Sequence, residues 1–402
     1  MSMTLNSTPS PAVVKEERQA ISDDLCTAVV VGARGYSGVE LIRLLFSHPQ
    51  VRLVGLYATQ SFSTRSLLPE WTAKAVSRLP EGEAMAGLEE KLEASIGSGH
   101  KPFDYAFLAT PAEVSMELAP KLLKCGVRVI DISGAFRLKG QDIADSLALY
   151  KKWYGIAHAT PELVQTADYG LLPFQKTAPT SNLISNPGCY ATATALALIP
   201  LYAEGLIELS SVAVDAKSGT TGAGKKAEER LLHAEVDGGC LPYRVGRHQH
   251  EPEIAEAVAR FALRNINRVR EVGFSFVPHL LPVRRGIIVS VHARLKKGVR
   301  ADQVLKAYAS AYGEYPLVRL APLVEKGNDV ELTLRRVVGS ARAVVAWNVR
   351  PEESNGGFGD QLAVFCLIDN LLKGAASQAV ENLNRFLGLP LETGLLEREG
   401  VL

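Results

Sequence analysis

Cysteine is scarce and its pattern unpaired: five residues, at 26, 125, 189, 240 and 366 of 402, an odd number with no CxxC spacing. A reducing compartment fits this better than a disulfide framework. Long hydrophobic runs are missing too. No stretch approaches the ~20 apolar residues of a membrane span, and residues 1–24 hold no apolar signal core. This leader carries Glu16, Glu17, Asp23 and Asp24, unlike an acid-poor transit peptide, and reads as a disordered tail on a cytoplasmic protein. Charge of one sign is not in excess: 44 Lys+Arg against 43 Asp+Glu leave +1, so neither nucleic acid nor an anionic membrane is an expected partner. Internal repeats and low-complexity segments are absent. The length accommodates two domains with cores of their own.

What is present begins with Cys26-Thr-Ala-Val-Val-Val31, then Gly32-Ala-Arg-Gly-Tyr-Ser-Gly38, then the apolar-periodic Val39 to Leu45. This is a strand, a glycine turn and a helix, with a second strand at Val51–Tyr57. Glycines at 32, 35 and 38 let the backbone turn sharply and approach a pyrophosphate at a helix N-terminus. After the second strand, Ala58-Thr-Gln-Ser61 supplies no acid for ribose hydroxyls. Hydroxyls at Thr59, Ser61, Ser63 and Thr64 beside Arg65 suit a 2′-phosphate instead, which favours NADP over NAD. Residues 77–103 read as a surface insertion with a short helix. Strands at Asp104–Ala109 and Val127–Ile132 flank a helix ending at Lys124, the alternation of a doubly wound parallel sheet. Ligands bind at the carboxyl ends of such strands, where Thr110-Pro111 and Ser133-Gly134 lie.

Leu183-Ile-Ser-Asn-Pro-Gly-Cys189 followed by the alanine-rich run to Pro200 places Cys189 at a strand-turn-helix junction. At a helix N-terminus a thiol pKa of ~8.5 falls to between about 3.5 and 7.5, so Cys189 is the candidate nucleophile. Downstream, Val212–Asp215 leads into a loop with Lys217, Ser218, Gly219, Lys225 and Lys226, suited to a phosphate or carboxylate. Gly246-Arg-His-Gln-His250 precedes an amphipathic helix with Pro252 in its first turn. Histidine has the pKa a cysteine nucleophile needs in its base, and Arg247 would keep a neighbouring imidazole neutral. Zinc on His233, Cys240, His248 and His250 is disfavoured, because the spacing matches no common zinc pattern. Alternating segments at 273–277, 286–295, 343–349 and 362–367 predict a mixed or antiparallel sheet, and a final helix opens at Asp369 and runs to Phe386.

The segment Ile184 through Thr192, with Pro-Gly-Cys-aromatic at its centre, resembles the N-acetyl-gamma-glutamyl-phosphate reductases of arginine biosynthesis, in the semialdehyde dehydrogenase superfamily. Similar too are Gly32–Gly38, Asp131–Leu138, Asp215–Gly219, Pro278–Leu280 with Arg285-Gly286, and Asp369-Asn370 through Ala375. The family's Tyr-Gly-Leu-Pro-Glu reads Tyr169-Gly-Leu-Leu-Pro-Phe174 here, and its Gly-Thr-Asn reads Gly339-Ser-Ala341. The resemblance implies a Rossmann-like NADP-binding domain at 25–187, an inserted α+β catalytic and oligomerisation domain at 188–368, and a C-terminal helix (369–402) returning to the first. It implies a homo-oligomer and no metal. Cofactor contacts are expected at Gly32, Arg34, Gly35, Tyr36, Ser37, Gly38, Thr59, Ser61, Thr110, Pro111, Ser218, Gly219 and Asn370. Substrate contacts are expected at Ser133, Arg137, Asn186, Lys217 and Arg247. Cys189 is the implied nucleophile, His248 the acid/base as the family's His-x-His is usually read, and His250 a substrate or cofactor contact. The implied reaction is NADPH-dependent reduction of N-acetyl-glutamyl 5-phosphate to the 5-semialdehyde through a cysteine thioester. Carrier-linked glutamyl or aminoadipyl phosphate is the alternative substrate. A nicotinamide-free cysteine hydrolase is disfavoured by the glycine turn, and a silent NADP-binding regulator by Cys189 with its two histidines.

Overall fold

The computed structural model describes residues 25–175, 177–323, 331–350 and 360–396; the expected tail at 1–24 lies outside them. The valine run of β1 (Cys26–Val31) is buried, as a strand covered by helices on both faces requires. It is central in a wholly parallel sheet with β2 (Val51–Ala58), β3 (Gly82–Ala84), β4 (Tyr105–Leu108), β5 (Arg128–Asp131), β6 (Asp168–Tyr169) and β7 (Leu183–Ser185). Strand order is β3-β2-β1-β4-β5-β7-β6, so the winding reverses between β1 and β4. A ligand crevice opens at such a switch point, here between Gly32 and Thr110.

The segment expected as a surface insertion does more than that. Gly82–Ala84 extends the sheet as its edge strand, and a fourteen-residue helix, Met85–Ser98, buries Leu88 and Leu92. The expected helix is present, but two leucines four apart are a weak stripe among charges and glycines, which is why the sequence reads as a short helix on an insertion there.

A second sheet is ordered β12-β13-β14-β11-β8-β10-β9. Its strands are β8 (Ala213–Ser218), β9 (Leu241–Pro242), β10 (Ser275–Leu280), β11 (Ile287–Arg294), β12 (Val318–Pro322), β13 (Ala343–Val349) and β14 (Gln361–Ile368). The pairs β8/β10 and β12/β13 are parallel and the rest antiparallel, a mixed sheet as expected. The chain therefore forms the expected α/β architecture, a doubly wound parallel sheet joined to a second, α+β unit. One face of the second sheet packs on the Cys189–Ala203 helix. The other carries Val277, Ile288, Val344, Ala363 and Phe365, all half-buried. After β14 a π-helical turn, Leu372–Ala376, leads into the helix Ser377–Leu387. That helix returns to the first sheet: Phe386 lies 5.9 Å from the Tyr105 ring, and Asn384 Oδ1 is 2.8 Å from His48 Nε2.

The Cys189–Ala203 helix is buried from Tyr190 through Tyr202 on every side. It contains Pro200, which has no N–H for the carbonyl of Leu196 four residues back. Tyr312 supplies the missing donor, its hydroxyl 2.6 Å from Leu196 O, and Tyr308 adds one to Ala197 O at 2.7 Å. Tyr312→Phe leaves the buried Leu196 carbonyl without its partner and is expected to cost about 1–3 kcal/mol of stability. Urea unfolding checks this; a loss below about 0.5 kcal/mol would show that the carbonyl finds another donor.

Candidate active site

Strand β7 ends at Ser185, and Gly188, extended at φ −71° and ψ 157°, caps the Cys189–Ala203 helix without any side-chain bond. Cys189 thus occupies the first helical position, at the positive end of the dipole. A cavity of about 230 Å³ opens over it, lined by Tyr190, Ser218, Gly219, Tyr243, Arg244, His248 and His250 among others. His250 opens the helix His250–Phe261, and its ring centroid is 5.0 Å from that of His248.

Behind the cavity is a residue that sequence reading passed over. Glu253 is 1 % exposed; its Oε1 accepts from Gly188 N and from Tyr169 OH, both at 2.8 Å. Its Oε2 is 3.7 Å from Arg137 Nη1 and 3.8 Å from His250 Nε2. Arg137 in turn donates from Nε to Asn186 O at 3.0 Å. Gly188 has no room for a side chain, since a Cβ there would lie 2.6 Å from Arg137 Nη1 and collide with His250 Nε2. The one local signal for Glu253 was its place three residues after His250, on the same helix face.

Electrostatics depart from expectation at the sulfur. Burial pushes the Cys189 thiol up to about 11, with the Arg137 guanidinium and the Tyr190 N–H pulling the other way and the Glu253 carboxylate adding to the rise. Desolvation therefore outweighs the helix N-terminus, and the expected lowering toward neutrality is not seen in the free site. Both histidines are held neutral. His248 falls to about 2 through burial, then His250 and Arg244; His250 falls to about 3 through burial and Arg137. Arg247, the cation expected to do this, is exposed and takes no part.

At the glycine turn, Gly35 caps the helix Tyr36–Ser47 with no side-chain bond and no acid in its first turn, so its amide donors face outward. A Cβ on Gly32, at φ +83°, would strike Ala109 O, and one on Gly38 would strike Gly32 O. The turn is as tight as a pyrophosphate cradle requires. Arg34 is exposed beside it, and Lys225 Nζ lies 5.2 Å from the Tyr36 ring. Thr59, Ser61, Ser63 and Arg65 are exposed at the end of β2. The nearby carboxylate, Glu81, is spent on Thr64 N at 3.1 Å, so these residues fit a 2′-phosphate. Ser37 lies in the helix's first turn and Pro111 follows β4.

Residues 27–167 match the family model described as "Semialdehyde dehydrogenase, NAD binding domain" and residues 189–370 that described as "Semialdehyde dehydrogenase, dimerisation domain". Among curated relatives, the N-acetyl-gamma-glutamyl-phosphate reductase of Thermus thermophilus is 39% identical over 92% of this chain and 99% of its own. That of Laribacter hongkongensis is 38% identical over 91% of this chain and 96% of its own. The chain belongs to the N-acetyl-gamma-glutamyl-phosphate reductase family. Solved structures with the same fold include aspartate semialdehyde dehydrogenase II of Vibrio cholerae, complexed with ASA (TM-score 0.58, 16% identity, 90% of this chain and 98% of that one). Another is the Francisella tularensis aspartate semialdehyde dehydrogenase (TM-score 0.59, 13% identity, 90% and 99%).

Of the five substrate contacts expected from the family, three are engaged elsewhere and one lies outside the cavity. Ser133 Oγ donates to the buried Asp131 carboxylate at 2.8 Å, and Thr110, an expected cofactor contact just after β4, is 2.8 Å from Ser115 Oγ. Asn186 is fully buried, its amide on Ala375 O at 3.3 Å and its oxygen accepting from Asn382. Lys217 points from β8 to the face opposite Ser218, paired with Asp215 at 2.7 Å. Arg247 is outside the cavity, whose arginines are Arg230 and Arg244. Arg137 alone borders the nucleophile turn. Asn370, an expected cofactor contact, is buried with Oδ1 on Gly286 N at 2.8 Å and Nδ2 on Thr221 at 3.0 Å, bracing the Ser218–Gly222 loop. Phe174, where the family has an acid, packs against the rings of Phe261 and Tyr312. Among the described residues no three His, Cys, Asp or Glu side chains converge as a metal site, and no helix is long and apolar enough to cross a membrane.

A thiol held near 11 is about 10⁻⁴ thiolate at pH 7, and its alkylation tracks hydroxide. Carbamidomethylation of Cys189 in the free protein is therefore expected to rise about tenfold per pH unit from 6.5 to 9.5. A plateau near pH 7, followed by mass spectrometry, would contradict it.

Proposed function

We propose that this chain reduces N-acetyl-glutamyl 5-phosphate to N-acetyl-glutamate 5-semialdehyde with NADPH, releasing phosphate. The observation that carries this reading is a cysteine at a helix N-terminus, in a cavity with two neutral histidines, on a chain whose relatives bear that reductase name. Residues 25–187, 188–368 and 369–402 are the division we assign to cofactor domain, catalytic domain and returning helix. Cys189 Sγ attacks the acyl carbon, the bond to phosphate breaks, and a thioester remains. The thiol proton passes through an imidazole to the leaving phosphate. The glycine turn Gly32–Gly38 would hold NADPH, whose hydride would add to the thioester carbon; the bond to Sγ then breaks, the aldehyde is freed, and the Cys189 thiolate takes back a proton from the imidazole.

The two histidines divide this work in our reading. His248 Nδ1 accepts the backbone N–H of His250 at 3.2 Å, so the neutral ring carries its proton on Nε2 and is a donor toward the acyl oxygen. His250 Nδ1 has no protein partner, and its Nε2 faces the Glu253 carboxylate, which steadies the imidazolium. We therefore assign the base to His250 and the hydrogen-bond donor to His248, the reverse of the family-based expectation.

The reaction is tested by phosphate-dependent NADPH formation on a panel of semialdehydes. N-acetyl-glutamate semialdehyde should lead in catalytic efficiency, and NADP should surpass NAD. Cys189→Ala should retain NADPH binding and lose more than tenfold in rate, a barrier above ~1.4 kcal/mol; a variant above a tenth of the wild-type rate would exclude Cys189 as nucleophile.

For the histidines, pre-steady-state thioester formation is the readout. His250→Asn should lower it by roughly 10²–10⁴ and make the residual rate proportional to hydroxide. His248→Asn should lower the rate while keeping the wild-type pH dependence. The opposite pattern returns the base to His248.

A further inference from the structure

A π-helical turn touches the nucleophile. In Leu372–Ala376, Gly374 N bonds Asp369 O and Ala376 N bonds Leu371 O, each five residues back and each 2.9 Å. Gly374 lies against Cys189 so closely that a Cβ on it would sit 2.7 Å from Cys189 Cβ and 3.1 Å from its Cα. Single π turns often occur at functional sites, because they cost regular hydrogen bonding and need something to hold them.

Here the holder is a buried ion pair. Lys373 and Glu381 are both 0 % exposed, with Lys373 Nζ 2.7 Å from each Glu381 oxygen and 3.2 Å from Tyr315 OH. Tyr315 OH also donates to Glu381, and the lysine donates to three acceptor atoms on these two residues. In a straight α-helix residues eight apart are rotated about 80° from each other; the wider π turn takes up that offset and lets Lys373 face Glu381. On the N-terminal side Asp369 pins the turn through Leu371 N at 2.8 Å and Arg285 at 2.8 Å. A buried ion pair is poor evidence of stability, since apolar side chains of equal volume often serve as well or better. Its value lies in fixing one backbone path, the path that seats Gly374 on Cys189.

We propose that Lys373, Glu381 and Tyr315 are positioning residues for the nucleophile: they lock the π turn, and the turn fixes Cys189 for attack. This rests on Cys189 being the reactive thiol, so one readout needs no substrate. The test is the Lys373→Met/Glu381→Leu double variant of the full chain, which removes both charges at similar volume. The expected result is a thermal midpoint not lowered, KM for NADPH and acyl substrate within about twofold, and thioester formation reduced by ~10- to 100-fold, the scale of a misplacement on the order of 1 Å. The pH profile of Cys189 carbamidomethylation should also shift, while that of the exposed Cys240 in the same sample stays put. Wild-type acylation and an unshifted Cys189 profile overturn the proposal, whatever happens to stability. Gly374→Ala keeps the ion pair and places a methyl against Cys189, so it covers the case in which the double variant does not fold. It should show the same selective loss, and wild-type behaviour there overturns the proposal equally. A shifted Cys189 profile in a protein inactive on every semialdehyde supports the positioning role and counts against the assigned reaction alone.

Discussion

A single carboxylate, sealed from water, ties the catalytic apparatus together. Glu253 receives Gly188 N–H from the nucleophile turn and Tyr169 OH from β6, and faces Arg137 from the loop after β5 and His250 on its own helix. An unpaired carboxylate at this depth would cost several kcal/mol, and so would the guanidinium if Glu253 were removed. Neither charge is tolerable without the other, so elements separated by more than a hundred residues have to arrive in one arrangement. The site is preorganised because its charges cannot be buried in any other way. Gly188 completes the constraint: with a Cβ there, the carboxylate, guanidinium and imidazole could not close around the turn.

What the sequence shows of this follows a physical divide. Features fixed by adjacent residues are legible: the glycine turn after β1, the cap before Cys189, the alternation of β11 and β14, the final helix. Each depends on local backbone preference or on a repeat of apolar side chains. Features fixed by a partner far along the chain are not. Ser133 is expected as a ligand from its place at a strand end and Asn186 from the family resemblance, yet they bond Asp131 and Ala375. Lys217 and Ser218 are neighbours, but the two-residue period of β8 sends them to opposite faces. Tyr243, Arg244 and Glu253 carry no signature until the loop and helix around them fold over Cys189. The thiol is the sharpest case, since the helix dipole is readable from sequence and the desolvation that overrides it is not.

The resting state of the site is therefore an uncharged thiol beside two uncharged imidazoles, and the same burial that silences them sets up their activation. The acyl phosphate arrives as an anion in a cavity whose lining includes Arg230 and Arg244. A unit charge about 4 Å from an imidazole, at an effective dielectric near 20, is worth roughly 4 kcal/mol, or about three pKa units. Applied to His250, held at about 3 by burial and Arg137, that field brings the imidazolium toward the ordinary histidine range. Against the Cys189 thiol at about 11, proton transfer to His250 then falls from about eight pKa units uphill to about five, and bonding of the sulfur to the acyl carbon completes it. A nucleophile ionised in the free protein would be exposed to every electrophile that enters; one whose base is switched on by the substrate's own charge reacts when the correct anion is present.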